Sequence, residues 1–259
     1  MNINNIPKLS FCITCKNRFY QVSRTLPKNL DDNRMYKQFV EFILIDFGSA
    51  DGLFDWIRKN HAQDIKDGYL KYYYTDSLPY WHVSIAKNTA HSLASHEILV
   101  NLDCDNYTGH NGGKFVIQRF IKYGDAVFIH QFSKKHADGS YGRICVLKKH
   151  FMQIRGYDEN FEPMGHEDSD LMKRLTKLGL CRLNIPNPNY NKAIANSKEE
   201  SIRNTCSKLS WEEMDEINIE KSNLNIQSGR IIANLNAKSI GIESGIYNFY
   251  EKHTIQNEK

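Results

Sequence analysis

The chain has 259 residues, 41% of them hydrophobic and 25% charged, ordinary values for a folded protein that exclude a disordered, collagen-like or coiled-coil chain. A formal charge of +4 favours an anionic ligand, but it is too small and too scattered to argue for nucleic-acid binding. No apolar run approaches the roughly 20 residues that span a bilayer, and Met1-Asn2-Ile3-Asn4-Asn5 lacks the basic-then-apolar plan of a signal peptide. A cytoplasmic protein without a transmembrane segment is therefore expected.

The first half alternates strand and helix signals. Residues 8–14 alternate as a strand, followed by the polar turn Cys15-Lys16-Asn17-Arg18 and a helix through Leu30. Residues 39–45 are almost wholly apolar, as a strand buried on both faces must be, and they stop at Asp46-Phe47-Gly48-Ser49-Ala50-Asp51-Gly52. A helix over 53–60, a strand over 69–75 and a helix over 82–96 follow, the last carrying Ala86, Ala90, Leu93 and Ala94 at helical spacing. Next comes the strand Ile98-Leu99-Val100-Asn101-Leu102, ending in Asp103-Cys104-Asp105-Asn106. This alternation predicts a mainly parallel sheet with right-handed crossovers.

The second half is less regular. A helix over 115–122, strands over 126–131 and 140–147, a turn at His136-Ala137-Asp138-Gly139 and a helix over 148–153 are expected. Gly165-His166-Glu167-Asp168-Ser169-Asp170-Leu171 then opens a helix whose apolar positions are Leu171, Met172, Leu175 and Leu178, ending at Gly179. Residues 184–191 hold two prolines and four asparagines and read as a loop. From Ser197 onward the chain turns polar and helical, with Trp211, Met214 and Ile217 as an apolar stripe, and residues 254–259 read as a frayed end. The six cysteines stand mostly singly in apolar contexts, as reduced core thiols; Cys12 and Cys15 have no second pair to make a zinc site.

Asp103 and Asp105 are the chemical focus. In an extended segment alternate side chains share a face, so both carboxylates can aim at one point at the C-terminal edge of the sheet, where open α/β sheets bind ligands. Two hard oxygen ligands without a thiolate pattern suit Mg²⁺ or Mn²⁺, ions that complete their shells with water and phosphate oxygens.

Thr14-Cys15-Lys16-Asn17-Arg18, Ile45 to Asp51, Ala86-Lys87-Asn88 and Leu102-Asp103-Cys104-Asp105, in that order, resemble the signature of GT-A glycosyltransferases of the family 2 type. Gly156-Tyr157-Asp158-Glu159 with Gly165 to Leu171 looks like the acceptor-side motif of β-1,4-galactosyltransferases and chondroitin-polymerase-like enzymes. The resemblance covers roughly residues 8–180. It implies a GT-A α/β fold, comprising a nucleotide-sugar-binding half over 1–106 and an acceptor-binding half over 107–196; beyond it, the apolar stripe of Trp211, Met214 and Ile217 predicts that 197–259 is a helical extension packed on the core. It also implies inverting transfer from a nucleotide-sugar, most plainly a UDP-sugar, to a hydroxyl of a glycan or glycoconjugate, with Mn²⁺ or Mg²⁺ as cofactor. Any membrane association would then be peripheral, through the acceptor.

By the same resemblance Asp46, Arg18, Lys87, Asn88 and Asp103 face the donor, Asp103 and Asp105 hold the metal, and Glu167 and Asp170 serve the acceptor. Asp46 can also serve as an Asx-turn residue before Gly48, the two roles being compatible, and Tyr80-Trp81-His82 reads as a wall of the donor pocket or as core. Asp170 stands four residues before Arg174, which also suits an ion pair. Asp168 is the expected general base: the positive end of a helix dipole at its position favours the ionised carboxylate a base requires.

Three departures matter. Residues 181–205 hold no histidine to serve as third metal ligand, leaving a distant one such as His130; Ser169 stands where an acceptor-binding acid is common; and Phe47 replaces a second acid after Asp46. A non-catalytic carbohydrate-binding domain of the same fold and a nucleotidyltransferase are the alternatives, the latter disfavoured because Cys15-Lys16-Asn17-Arg18-Phe19 contains no glycine.

Overall fold

Alternation in the first two strands builds both faces of the sheet at once. The computed structural model describes residues 6–134, 138–186 and 192–257. In β1 (Leu9–Cys15), Leu9, Phe11, Ile13 and Cys15 point to one face and Cys12 to the other. α1 (Phe19–Asn33) returns the chain to β2 (Val40–Asp46), which sends Val40, Phe42 and Leu44 to the first face and Ile43 and Ile45 to the second. The order continues with α2 (Leu53–Asn60), α3 (Ala62–Lys66), β3 (Leu70–Tyr74), α4 (Val83–Leu93), β4 (Ile98–Asn101) and β5 (Asn106–Tyr107). Then come α5 (Gly112–Tyr123), β6 (Val127–His130), β7 (Ile144–Leu147), α6 (Lys148–Gln153), α7 (Glu167–Lys177) and β8 (Cys181–Asn184). β9 (Lys192–Ala193), α8 (Lys198–Ile202), α9 (Trp211–Gln227), β10 (Tyr247–Asn248) and α10 (Phe249–Asn257) complete it.

Among the described residues, the main sheet runs β10-β3-β2-β1-β4-β7-β6-β8. β3, β2, β1 and β4 are mutually parallel, β7 runs antiparallel to both β4 and β6, and β10 is antiparallel to β3. This is the mixed, mainly parallel sheet that the sequence predicts. α1, α2, α5 and α10 cover one face through Leu26, Ile57, Phe120 and Phe249; α4, α6 and α7 cover the other through Ala90, Phe151 and Leu175. Burying a side chain of the Leu175 kind contributes about 1.5–3 kcal/mol, so the two faces together hold α4 and α7 firmly to the strands. The alanines of α4 keep that helix close to the sheet, which carries Lys87 beneath the strand ends.

The segment after residue 197 folds back on this core. Met214 and Asn218 of α9 are fully buried, and the Asn218 amide donates to Glu162 O, Met164 O and Gly165 O at 3.2, 3.1 and 2.8 Å. β10 joins the sheet edge. β8 and β10 escape sequence reading because they are short and half-exposed, without apolar alternation. Residues 254–257 continue α10 rather than fray. The expected turn at 136–139 and the loop over 184–191 fall partly outside the described residues. Cys12, Cys15 and Cys145 are buried thiols as expected, whereas Cys181 and Cys206 are exposed. No helix among the described residues is long and apolar enough to cross a membrane.

Candidate active site

A cleft opens at the C-terminal ends of β1 and β4. Lys16 and Arg18 follow β1, Asp103 and Asp105 follow β4, Trp81 and Lys87 come from the start of α4, and Glu167 and Asp168 from the start of α7. Asn196, Ser201 and Asn204, before, in and after α8, line it as well. The strands end there because the apolar alternation stops, and the freed chain can turn its polar side chains inward.

The wall built by α7 rests on a buried charge cluster. Lys87, 3% exposed at its side chain, donates from Nζ to Glu167 Oε1 and to Asp168 Oδ1, both at 2.8 Å. Neither acid caps the helix; His166 occupies the N-cap with φ 64, after Gly165 with φ 92, and makes no side-chain cap bond. Lys87 is held well above its usual pKa: burial opposes its charge, but Asp168 and Glu167 outweigh burial. Burial also pushes the Asp168 carboxyl upward, to about 7, with Lys87 opposing and Glu167 and Asp103 adding to the rise. Glu167 stays low, because Lys87 outweighs its burial.

Asp103 and Asp168 approach each other across Gly142. A Cβ at that glycine would lie 2.9 Å from Asp168 Oδ2 and 3.0 Å from Asp103 Oδ2, so a side chain there would fill the gap between them. Asp105 accepts from its neighbour Asn106 at 2.7 Å, and burial followed by repulsion from Asp103 pushes it up to about 6. Crowded carboxylates left short of donors are what a hard divalent cation relieves, and the donor set is all oxygen. Among the described residues no group of three or more His, Cys, Asp or Glu side chains could hold an ion. Asp103 and Asp105 would be the two protein ligands of such an ion, Mg²⁺ or Mn²⁺, and its remaining positions would fall to water and substrate oxygens. His130 is not a third ligand: buried away from the cleft, it has Nε2 2.7 Å from Tyr141 O and Nδ1 2.6 Å from Arg182 Nη2.

A family model described as the N-terminal domain of galactosyltransferase matches residues 126–196, a stretch that includes the start of α7. No curated protein sequence matches the chain. Among solved structures, the mannosyltransferase PcManGT from Pyrobaculum calidifontis, in complex with GDP-Man and Mn²⁺, superposes with a TM-score of 0.60 at 13% identity, over 87% of this chain and 72% of that one. Staphylococcus aureus TarS 1-349 gives 0.57 at 14% identity, over 86% and 73%, and its UDP complex 0.58 at 14%, over 85% and 72%. The fold is GT-A.

Within this GT-A fold, three residues expected at the donor or acceptor turn inward. Asp46 is fully buried, accepting from Ser49 N at 2.8 Å and Tyr72 Oη at 2.8 Å; it closes its own turn and does not line the cleft. Asn88 is equally buried and bonds Tyr157 O, Tyr157 N and Glu159 Oε1 at 2.8, 2.8 and 2.7 Å, fastening the loop before α7. Gly156 is required in that loop: its φ is 63, and a Cβ would lie 2.2 Å from Asn88 Oδ1. Asp170 is fully buried against Arg174 Nε at 2.6 Å, so the acceptor role expected of it gives way to the ion pair. Of the aromatic group only Trp81 reaches the cleft, edge-on to Phe47 with ring centroids 5.8 Å apart.

Other cleft residues were missed. Arg18 lines the cleft, and its guanidinium donates to Asn196 Oδ1 and Glu200 O, both at 2.7 Å, which ties the α8 region over the cleft. Asn204 Oδ1 accepts from Asn17 and its amide reaches Lys16 O. Nothing local in residues 196–204 announces this, because the contacts join positions 178 to 188 residues apart. Arg143 is likewise buried behind the acidic pair, with Nη2 2.7 Å from Asn106 Oδ1, where its charge acts on Asp103 and Asp105.

Proposed function

We propose that this protein is an inverting, metal-dependent glycosyltransferase that moves a sugar from a UDP-sugar to a hydroxyl of a glycan or glycoconjugate. The observation that carries the reading is that Asp168 and the Asp103–Asp105 pair face one cleft across Gly142, with Lys87 beneath. Asp103 and Asp105 would hold a divalent ion, which when bound would supply Lewis-acid stabilisation to a departing diphosphate.

The chain's own residues do the rest. Asp168 accepts the proton of the acceptor hydroxyl as that oxygen bonds the anomeric carbon. The carbon's bond to the diphosphate oxygen breaks with its electron pair, and attack from the opposite face inverts the centre. A carboxylate whose proton affinity is raised toward neutrality is a better base than an ordinary aspartate, and Lys87 keeps its Oδ1 fixed while Oδ2 faces the gap. Glu167, pinned by the same lysine, is placed to accept a hydrogen bond from a second acceptor hydroxyl. Lys16 and Arg18 bring positive charge to the side where a diphosphate would lie.

The test is calorimetric titration of UDP, with and without Mn²⁺, on the native protein and on Asp103→Ala/Asp105→Ala. Mn²⁺-dependent binding that the double variant loses is expected; equal, metal-independent binding to both would remove the assignment. Thermal protection by a panel of nucleotide sugars with Mn²⁺ then selects the donor, since a ligand that binds the native state raises apparent stability.

A further inference from the structure

Met164, Glu167 and Asp168 border the donor cleft and also a second hollow on its far side, which Tyr141, Trp211, Lys198 and Asp215 help to line. Through Tyr141, His166 and Ser169 that hollow runs on into a third, floored by Lys173, Thr176 and Lys177 and walled by Arg182 of β8. The charge changes along this path. Acids crowd its beginning, whereas its far part has three cations and no carboxylate among the described residues that line it.

Among the described residues no carboxylate neutralises the three cations where they stand. Lys173 Nζ lies 3.1 Å from His166 Nε2 and 3.1 Å from Asn223 Oδ1, and Arg182 Nη2 is 2.6 Å from His130 Nδ1. Burial lowers the pKa of both imidazoles, so these partners are neutral acceptors. The ion pairs found among the described residues involve none of the three. A cation near a helix C-terminus complements the helix dipole, which would account for Lys177 alone. It does not account for Lys173 in mid-helix or for Arg182 on a strand.

Ser169, Lys173, Thr176 and Lys177 fall at helical spacing on one face of α7. With a rise of 1.5 Å per residue, Lys173 and Lys177 lie about 7 and 13 Å further along the helix than Asp168. An acceptor whose reacting hydroxyl meets Asp168 would lay its neighbouring units over Tyr141 and Ser169 toward those lysines. Ser169 meets it with a neutral hydroxyl, 2.5 Å from Tyr141 Oη.

We propose that this groove is the acceptor's extension subsite, and that the acceptor is an anionic glycan bearing a carboxylate or a phosphate ester on the units next to the accepting sugar. The inference rests on the glycosyltransferase reading and adds the charge class of the acceptor to it.

The experiment uses the full chain at low salt, with Mn²⁺ and UDP present. It measures binding of a tetrasaccharide of alternating N-acetylglucosamine and glucuronic acid, the same tetrasaccharide with its carboxyls reduced to alcohols, and a glycerol-phosphate oligomer. At least one anionic probe should bind about tenfold or more tightly than the reduced probe. Which of the two does so tells carboxylate from phosphate. The preference should shrink to less than about twofold in Lys177→Glu/Arg182→Gln, and with added salt. Lys177→Glu alone, at an exposed position, keeps the test decisive should the double variant misfold. Equal binding of neutral and anionic probes, no binding of either anionic probe, or a preference that survives both variants would overturn the proposal. UDP titration with Mn²⁺ in the same proteins reports the donor cleft separately. If UDP fails to bind native protein, the transferase reading fails, while the charge preference measured without nucleotide still judges the groove.

Discussion

At the N-terminal edge of the central sheet, Glu41 is 3% exposed and accepts from Ser10 Oγ at 2.6 Å, Ser95 N at 2.8 Å and Lys71 Nζ at 2.8 Å. Burial alone would raise its pKa, yet these donors outweigh burial and hold it down at about 2. At the opposite edge of the same strands, burial and neighbouring acids push Asp105 up to about 6 and Asp168 to about 7. The two edges differ in their supply of donors. Glu41, which serves the fold, is saturated with hydrogen bonds, whereas Asp105 and Asp168 are left short, so that a cation or a proton can complete them.

The contrast breaks most sharply at Lys87. Lys87→Met leaves Glu167 and Asp168 buried without their cation, and should cost about 3 kcal/mol in denaturant unfolding. A loss under about 1 kcal/mol would mean that Lys87 does not hold the cluster.

Asp168→Asn should lower turnover about 10²-fold or more while UDP and Mn²⁺ bind as before. Because it removes a charge that burial disfavours, the unliganded variant should unfold no more easily than the native protein. Native turnover should rise as pH climbs through about 7, where Asp168 loses its proton, and that limb should vanish in the variant. Near-native turnover in Asp168→Asn would return this residue to a merely structural part of the helix start.

Glu41→Gln should act in the opposite sense on stability. The folded pKa, about 2, lies below the ordinary 4.5, so the stabilisation is fully present above about 4.5 and is lost as pH falls through about 2. Allowing for solvent screening, it amounts to about 1–3 kcal/mol at neutral pH. Acid titrations of unfolding that superimpose for the variant and the native protein would contradict the contrast.

The smallest effect is expected at Asp46. Asp46→Asn retains an oxygen to accept from Ser49 or Tyr72, so UDP affinity in the presence of Mn²⁺ should change less than about threefold. A tenfold loss would bring Asp46 back to the donor.

Hydrophobic periodicity alone determined the order of the α/β units, and it placed the helices over 53–60 and 148–153 at their observed bounds. It also placed Asp103 and Asp105 at a strand end, because burial on both faces demands an unbroken apolar run and the run's end is visible in the sequence. What periodicity does not encode is which way a polar side chain turns once the strand has stopped. Asp46 ends β2 and Asp103 follows β4, the strands on either side of β1, in similar local sequence, yet Tyr72 and the Ser49 amide draw Asp46 into the core while Asp103 faces the cleft. Asn88 is separated from Lys87 by a single step, but helical geometry turns the one toward the Gly156 loop and the other toward Asp168. The closing of Asn196, Ser201 and Asn204 over the cleft and the run of cations beyond Ser169 likewise depend on segments far apart in the chain. Only the tertiary structure decided these, because direction and charge environment are set by what packs across the sheet, and local sequence carries no record of it.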